Sequence, residues 1–148
     1  MSNGTAYSDE EINLLAHGPM IVMMATTESD GVTPMGLLKE SAAVAGFMSK
    51  AHDTYHDNLL VLLVIDGQDK IDKTLLENRT YDELLAMVDD LSAMLKDDAE
   101  SGGYRRFLLE VAEHTANAAG EGLFGSGVRI SAQEADFLNY LKQRLGLV

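Results

Sequence analysis

Cysteine is absent from this sequence, proline occurs only twice, and long apolar runs are missing. Without cysteine, the chain cannot carry a disulfide framework, a thiolate zinc site or a cysteine nucleophile. The longest unbroken apolar run, Leu59–Ile65, is far shorter than the roughly 20 residues that a membrane-spanning helix needs. Residues 1–11 are polar and acidic, and they lack the basic segment and apolar core of a secretory signal. These absences predict a cytoplasmic protein without a membrane partner.

Basic residues are also scarce. The chain has 11 Lys and Arg against 24 Asp and Glu, for a net charge of −13, and residues 66–100 alone hold eleven acids and four bases. Such a charge repels nucleic acid phosphates, and the one adjacent basic pair is Arg105–Arg106. We therefore expect no binding to DNA or RNA, whereas a cation or a basic protein is a favoured partner. The alternative is that the acidic residues only keep the surface solvated.

The length and composition are those of one globular domain. At 148 residues, with 46% hydrophobic and 24% charged residues, the chain is long enough to bury a core. We expect a single helical domain over residues 1–148, with residues 1–7 as a disordered tail.

The stretch Gly103–Gly120 predicts a long amphipathic helix around which the rest of the chain packs. Apolar residues recur on one side at intervals of three and four, and the opposite side is charged or polar. Gly102 and Gly103 before it, and Gly120 and Gly122 after it, predict its ends. The predicted apolar face consists of Tyr104, Phe107, Leu108, Val111, Thr115 and Ala118.

Local signals predict the other helices. Capping boxes of the form Ser/Thr-x-x-Glu begin helices at Ser8, Thr80 and Ser131. Gly18–Pro19 separates the first helix from the second, and Asp30–Gly31 forms a turn before the third. The remaining predicted segments are a second helix over Met20–Thr27, a third helix from Pro34 to about His52, an irregular connection over Asp66–Asn78 and a polar loop over Lys96–Gly103. The small residues at 41–46 of the third helix should allow another helix to approach closely.

Two apolar segments, residues 20–25 and 59–65, fit either a helix or a buried strand. As strands they would pair and give an α+β fold. An isolated two-stranded sheet is weak, however, and the surrounding signals are helical. We therefore predict an all-α fold, a compact bundle of six or seven helices.

No combination of residues predicts catalysis. Asp66–Glu77 begins and ends like an EF-hand calcium loop, but Lys70 and Ile71 stand where a ligand and the required glycine belong. The glycine-rich residues 120–127 lack the strand and the Gly-Lys-Ser/Thr sequence of a phosphate loop, and they predict a connector between helices. No catalytic residue is predicted, and an enzyme is the less favoured interpretation.

His52 and His56 are the candidate metal ligands. If they lie on one helix, their four-residue spacing puts both imidazoles on one face, where they can hold a divalent metal ion. His114 or Glu110, from the long helix, would complete such a site. The alternative interpretation is that His56 and Asp57 end the helix, where a cationic histidine suits the helix dipole.

An early helix leads to Asp30–Gly31, and the chain closes with residues 127–134, a further helix and residues 145–147. In this order of elements the chain resembles the tellurite-resistance TerB-like family of bacterial helical proteins. Ile130, Ser131 and Glu134 fit the second half of that family's pattern, whereas Leu37 stands where its first half has a glutamate. The resemblance implies an all-helical fold with an internal duplication, and an acidic surface that meets metal ions or other proteins.

Two functions from different classes follow. The first is a non-catalytic, acidic interaction module of the bacterial cytoplasm that forms a homodimer through helix faces. The alternative is a metal-binding or metal-dependent helical protein that uses the pair His52 and His56. An enzyme with an unrecognised site is a third interpretation.

Overall fold

The computed structural model describes residues 4–29, 34–76, 78–120 and 132–147. Within these ranges the chain forms seven α-helices, two short 3-10 helices and no strand, so the all-α prediction is confirmed. Residues 20–25 and 59–65 are both helical. The α-helices are α1 Asp9–Ala16, α2 Gly18–Ser29, α3 Pro34–Thr54, α4 Leu59–Asp66, α5 Tyr81–Met94, α6 Ala99–Gly120 and α7 Ala132–Arg144.

Helix α6 lies at the centre of the bundle. It packs most extensively against α3 and α2, and it also contacts α4 and α7. Its predicted apolar face is confirmed, since Tyr104, Phe107, Leu108, Val111 and Thr115 are all buried. The side chain of Ala118 lies outside the described residues. The face continues through two small buried residues, Ala112 and Ala116.

Helix α2 is the second internal helix. It packs against α5, α6 and α7, and its residues from Ile21 to Thr27 are buried apart from Met24, which is partly buried. Burying two threonines is tolerated because each hydroxyl donates to the carbonyl of the preceding turn. Thr26 bonds to Val22 at 2.6 Å, and Thr27 bonds to Met23 at 2.8 Å. This pattern of burial explains why the segment shows no polar face.

The start of α6 differs from the prediction. The helix begins at Ala99, so the loop expected over Lys96–Gly103 is wrong from residue 99 onward. Asp98 accepts the backbone N–H of Ser101 on its side chain at 2.8 Å, which is the capping interaction that starts the helix. Gly102 and Gly103 therefore lie inside the helix and do not mark its beginning.

The predicted disordered tail is wrong at Tyr7, because this side chain is buried against the start of α6. Its hydroxyl accepts the backbone N–H of Lys96 at 2.8 Å and bonds to the hydroxyl of Ser101. The ammonium of Lys96 also lies over the Tyr7 ring, 4.8 Å from its centroid. A single aromatic residue thus holds this segment against the bundle.

Other local predictions have mixed outcomes. Both described capping boxes, at Ser8 and Thr80, form with their reciprocal hydrogen bonds. The acidic connection after α4 is more regular than expected, with 3-10 turns at Gln68–Lys70 and Lys73–Leu76. The predicted turn at residues 30–31, the capping box at Ser131 and the glycine-rich residues 121–127 lie outside the described residues.

The described buried face of α3 runs through Val44, Phe47 and Ala51, whereas Met48 is only partly buried and His52 is exposed. Gly46 is exposed, and no atom of the described residues lies within 4 Å of an added Cβ at this position. The predicted close helix approach is therefore absent at Gly46 among the described residues, and the side chains at 41–43 lie outside them.

None of the helices within the described ranges has the length and hydropathy to cross a bilayer.

Candidate functional site

The two predicted metal ligands do not share a helix face. Helix α3 ends at Thr54, so His56 lies in the turn after it, and both histidines are exposed. The imidazole Nε2 of His52 lies 3.6 Å from a carboxylate oxygen of Asp66, at the end of α4. Both side chains of this pair are more than half exposed, which limits the strength of the contact.

The proposed third ligands are engaged elsewhere. The ring of His114 stacks on Phe47 with centroids 4.5 Å apart, and Glu110 accepts a hydrogen bond from the hydroxyl of Tyr55. Burial, and then this hydrogen bond, raises the pKa of Tyr55 well above its usual value. Over the described part of the chain, no three His, Asp or Glu side chains are placed to hold one metal ion. The predicted three-ligand site does not form there.

A polar hollow beside the start of α6 contains two residues that bond within the chain, Asn58 and Glu100. Asn58 caps α4 by accepting the N–H of Val61 at 3.1 Å, and its amide donates to the carbonyl of Glu100 at 3.1 Å. The Glu100 carboxylate accepts the N–H of Leu59 at 3.0 Å. Arg106 lies at the edge of the hollow. These contacts hold α4 against α6, and they account for Asn58 and Glu100 without a ligand.

A further candidate is an apolar groove between α1, α2, α5 and the 3-10 helix Lys73–Leu76. It has a volume of about 230 Å³, and it is open to solvent. Its floor is buried, whereas its rim is partly or largely exposed. Leu14 on the rim is 52% exposed, one of two large hydrophobic side chains that are exposed among the described residues. The apolar lining consists of the floor residues Ile21, Leu76 and Leu91 and the rim residues Leu14, Met87 and Met94.

Two polar residues complete the lining of the apolar groove, His17 and Asp90. His17 is buried, and both ring nitrogens are used. Nδ1 donates to the carbonyl of Asn13 at 2.7 Å, and Nε2 accepts the backbone N–H of Asp72 at 3.1 Å. This arrangement needs the neutral ring with its proton on Nδ1. The histidine therefore ties α1 to the connection after α4, and it is not poised as a catalytic base.

The groove was not identifiable from the sequence, although two signals pointed toward it. Helix α1 has three large apolar residues, Ile12, Leu14 and Leu15, which is more than its one buried side requires. On α5, Met87 lies beside the buried face formed by Leu84, Val88 and Leu91. An apolar arc that is wider than one packing face is a signal of a second contact surface.

Comparison with known proteins does not assign a family. The chain matches no protein-family model, no curated protein and no solved structure.

Proposed function

We propose that the protein is a non-catalytic interaction module whose apolar groove binds the apolar face of a helix from another chain. The observation that carries the proposal is the exposed rim of Leu14, Met87 and Met94 above a buried floor. Methionine side chains are flexible and polarisable, and surfaces rich in them adapt to apolar partners. Docking an amphipathic helix in such a groove is a recurrent mode of recognition.

The other sequence-based expectations agree with this proposal. The TerB-like resemblance implies an acidic surface that meets other proteins, and a cytoplasmic location suits a module of this kind. A homodimer through helix faces remains a separate prediction. Metal binding has less support, because the described histidines lack a third ligand.

The test uses a peptide about 18 residues long, with leucines along one helical face and uncharged polar residues elsewhere. It is titrated into the full chain carrying isotope-labelled methionine methyl groups. We expect the Met87 and Met94 signals to shift, while that of Met48, on α3 outside the groove, stays in place. Sedimentation of the protein alone tests the homodimer in the same samples.

A matched pair of variants locates the binding surface. Leu14→Gln removes a rim residue, and Leu59→Gln changes the other exposed leucine, which is 36% exposed and lies outside the groove. Completing the burial of a half-exposed leucine contributes about 1 kcal/mol, or about fivefold in affinity. Leu14→Gln should therefore weaken binding by about that factor and Leu59→Gln should not. Equal losses of peptide affinity in both variants would show nonspecific hydrophobic binding and would contradict a binding site in the groove.

A further inference from the structure

We propose that the helix bound by the apolar groove is basic, with lysine or arginine beside its apolar face. This inference rests on the proposed function and adds the chemistry of the partner. The two helices that carry the exposed rim, α1 and α5, hold three and four acidic residues respectively, and neither contains a lysine or an arginine. On the sides formed by α1 and α5, the groove is thus apolar inside and bordered by acidic residues.

Individual acidic residues lie close to the rim. Asp90 lines the groove itself and is exposed. Glu10 precedes Leu14 by four residues on α1, so the two share one side of that helix. Both are positioned to meet the flanks of a helix that lies between them.

The remaining charges of α5 are partly satisfied within the chain. Asp89 accepts the hydroxyl of Tyr140 at 2.9 Å and lies 3.3 Å from Arg144, so it faces α7. Glu83 pairs with Arg79 at 3.1 Å. Glu10 and Asp90 are therefore the acidic residues on which the proposal depends.

The same charges argue against a second copy of the chain as the occupant. Each copy has a net charge of −13, so two acidic rims would face each other across a self-contact. A basic helix instead gains complementary contacts at the rim, and attraction over the whole acidic surface speeds its association. Because the pairs are exposed, this contribution should weaken as salt screens it.

The experiment compares three peptides with one apolar face and with lysine, glutamine or glutamate at the flanking positions. At low salt the lysine peptide should bind the full chain about tenfold more tightly than the glutamine peptide, as two exposed ion pairs, with Glu10 and Asp90, predict. The advantage should shrink at physiological salt, and the glutamate peptide should bind least. All bound peptides should shift the Met87 and Met94 methyl signals.

A charge-matched control separates local from global attraction. The variant Glu10→Gln with Asp90→Asn should lose most of the advantage of the lysine peptide. The control Asp53→Asn with Asp57→Asn removes the same charge from exposed residues outside the groove lining, and it should retain that advantage.

Three outcomes would overturn the inference. Equal affinities of the three peptides, with both groove methyl signals shifting, would refute the basic partner and leave the proposed function standing. No shift of Met87 or Met94 with any peptide would refute both. Self-association of the protein alone that Leu14→Gln abolishes would make a second copy the occupant.

Discussion

Replacement of Gly103 by alanine tests the packing of α6 against α4. A Cβ at this position would lie 2.2 Å from the amide nitrogen of Asn58, which is closer than the atoms can approach. Asn58 cannot simply turn away, because its side chain both caps α4 and bonds to the carbonyl of Glu100. The substitution therefore forces a choice between a steric clash and the loss of two hydrogen bonds.

The magnitude follows from three contributions. Loss of the N-cap of α4 costs about 1 kcal/mol. Loss of the bond to the Glu100 carbonyl costs about 1 kcal/mol more. Alanine is the better helix former by about 1 kcal/mol, which offsets one of these losses. We expect Gly103→Ala to lower the free energy of unfolding by about 1 kcal/mol.

Gly46→Ala is the matched control. Gly46 also lies inside a helix, but open space surrounds the added Cβ, so only the gain in helix propensity applies. This variant should be about 0.5–1 kcal/mol more stable than the wild type. The same chemical change should therefore have opposite signs at the two positions, as urea unfolding followed by circular dichroism would measure.

A double-mutant cycle identifies Asn58 as the cause. In an Asn58→Ala background the obstructing amide is gone, so Gly103→Ala should become stabilising by about 1 kcal/mol. If Gly103→Ala stabilises the wild type as much as Gly46→Ala does, the close approach imposes no constraint and the reasoning fails.

Three further predictions concern other residues. Burial raises the pKa of Tyr104 and of Tyr55, so both stay protonated in the folded state when the unfolded chain ionises. Their contribution to stability should be complete below about pH 10 and fall above it, and the phenolate signals of these two residues should appear only with unfolding. A phenolate signal from Tyr55 or Tyr104 that grows while the helical signal is intact would contradict this. Tyr7→Phe should lower the free energy of unfolding in urea by about 1 kcal/mol, because the backbone N–H of Lys96 loses its acceptor. An unchanged free energy of unfolding would mean that water replaces the hydroxyl as acceptor. In a calorimetric titration, zinc should bind the wild type and a His52→Ala/His56→Ala variant with equal affinity. Weaker zinc binding by the variant would support a metal site at these two histidines.

The fold was largely predictable because local signals determine most of its helices. The capping boxes at Ser8 and Thr80 begin helices where the sequence places them, and the 3.6-residue period of α6 selects its buried face. Gly146 ends α7 with a positive φ of 69°, which is the ordinary role of glycine after a helix. In each case the residues that decide the structure lie within one or two turns of each other.

The errors arose where a distant residue decides the structure. Gly103 was interpreted as a helix boundary, but it is a glycine because Asn58, 45 positions earlier, occupies the space of a Cβ. Tyr7 was assigned to a tail because its partners follow α5, about 90 residues away. The pairing of His52 and His56 assumed a continuous helix, whereas α3 stops at Thr54. No pattern within a single segment contains this information.

The apolar groove combines a fixed floor with an adaptable rim, and this combination determines how it can bind. The buried floor is held in place by the core, and His17 joins two chain segments beside it through both ring nitrogens. In the proposed complex a partner helix would therefore meet a preformed surface, and binding would not require the bundle to open. The partly exposed Met87 and Met94 could still change rotamer to fit different apolar side chains. Shape alone would then discriminate poorly between partners, so the proposal leaves the choice of helix to the acidic residues beside the groove.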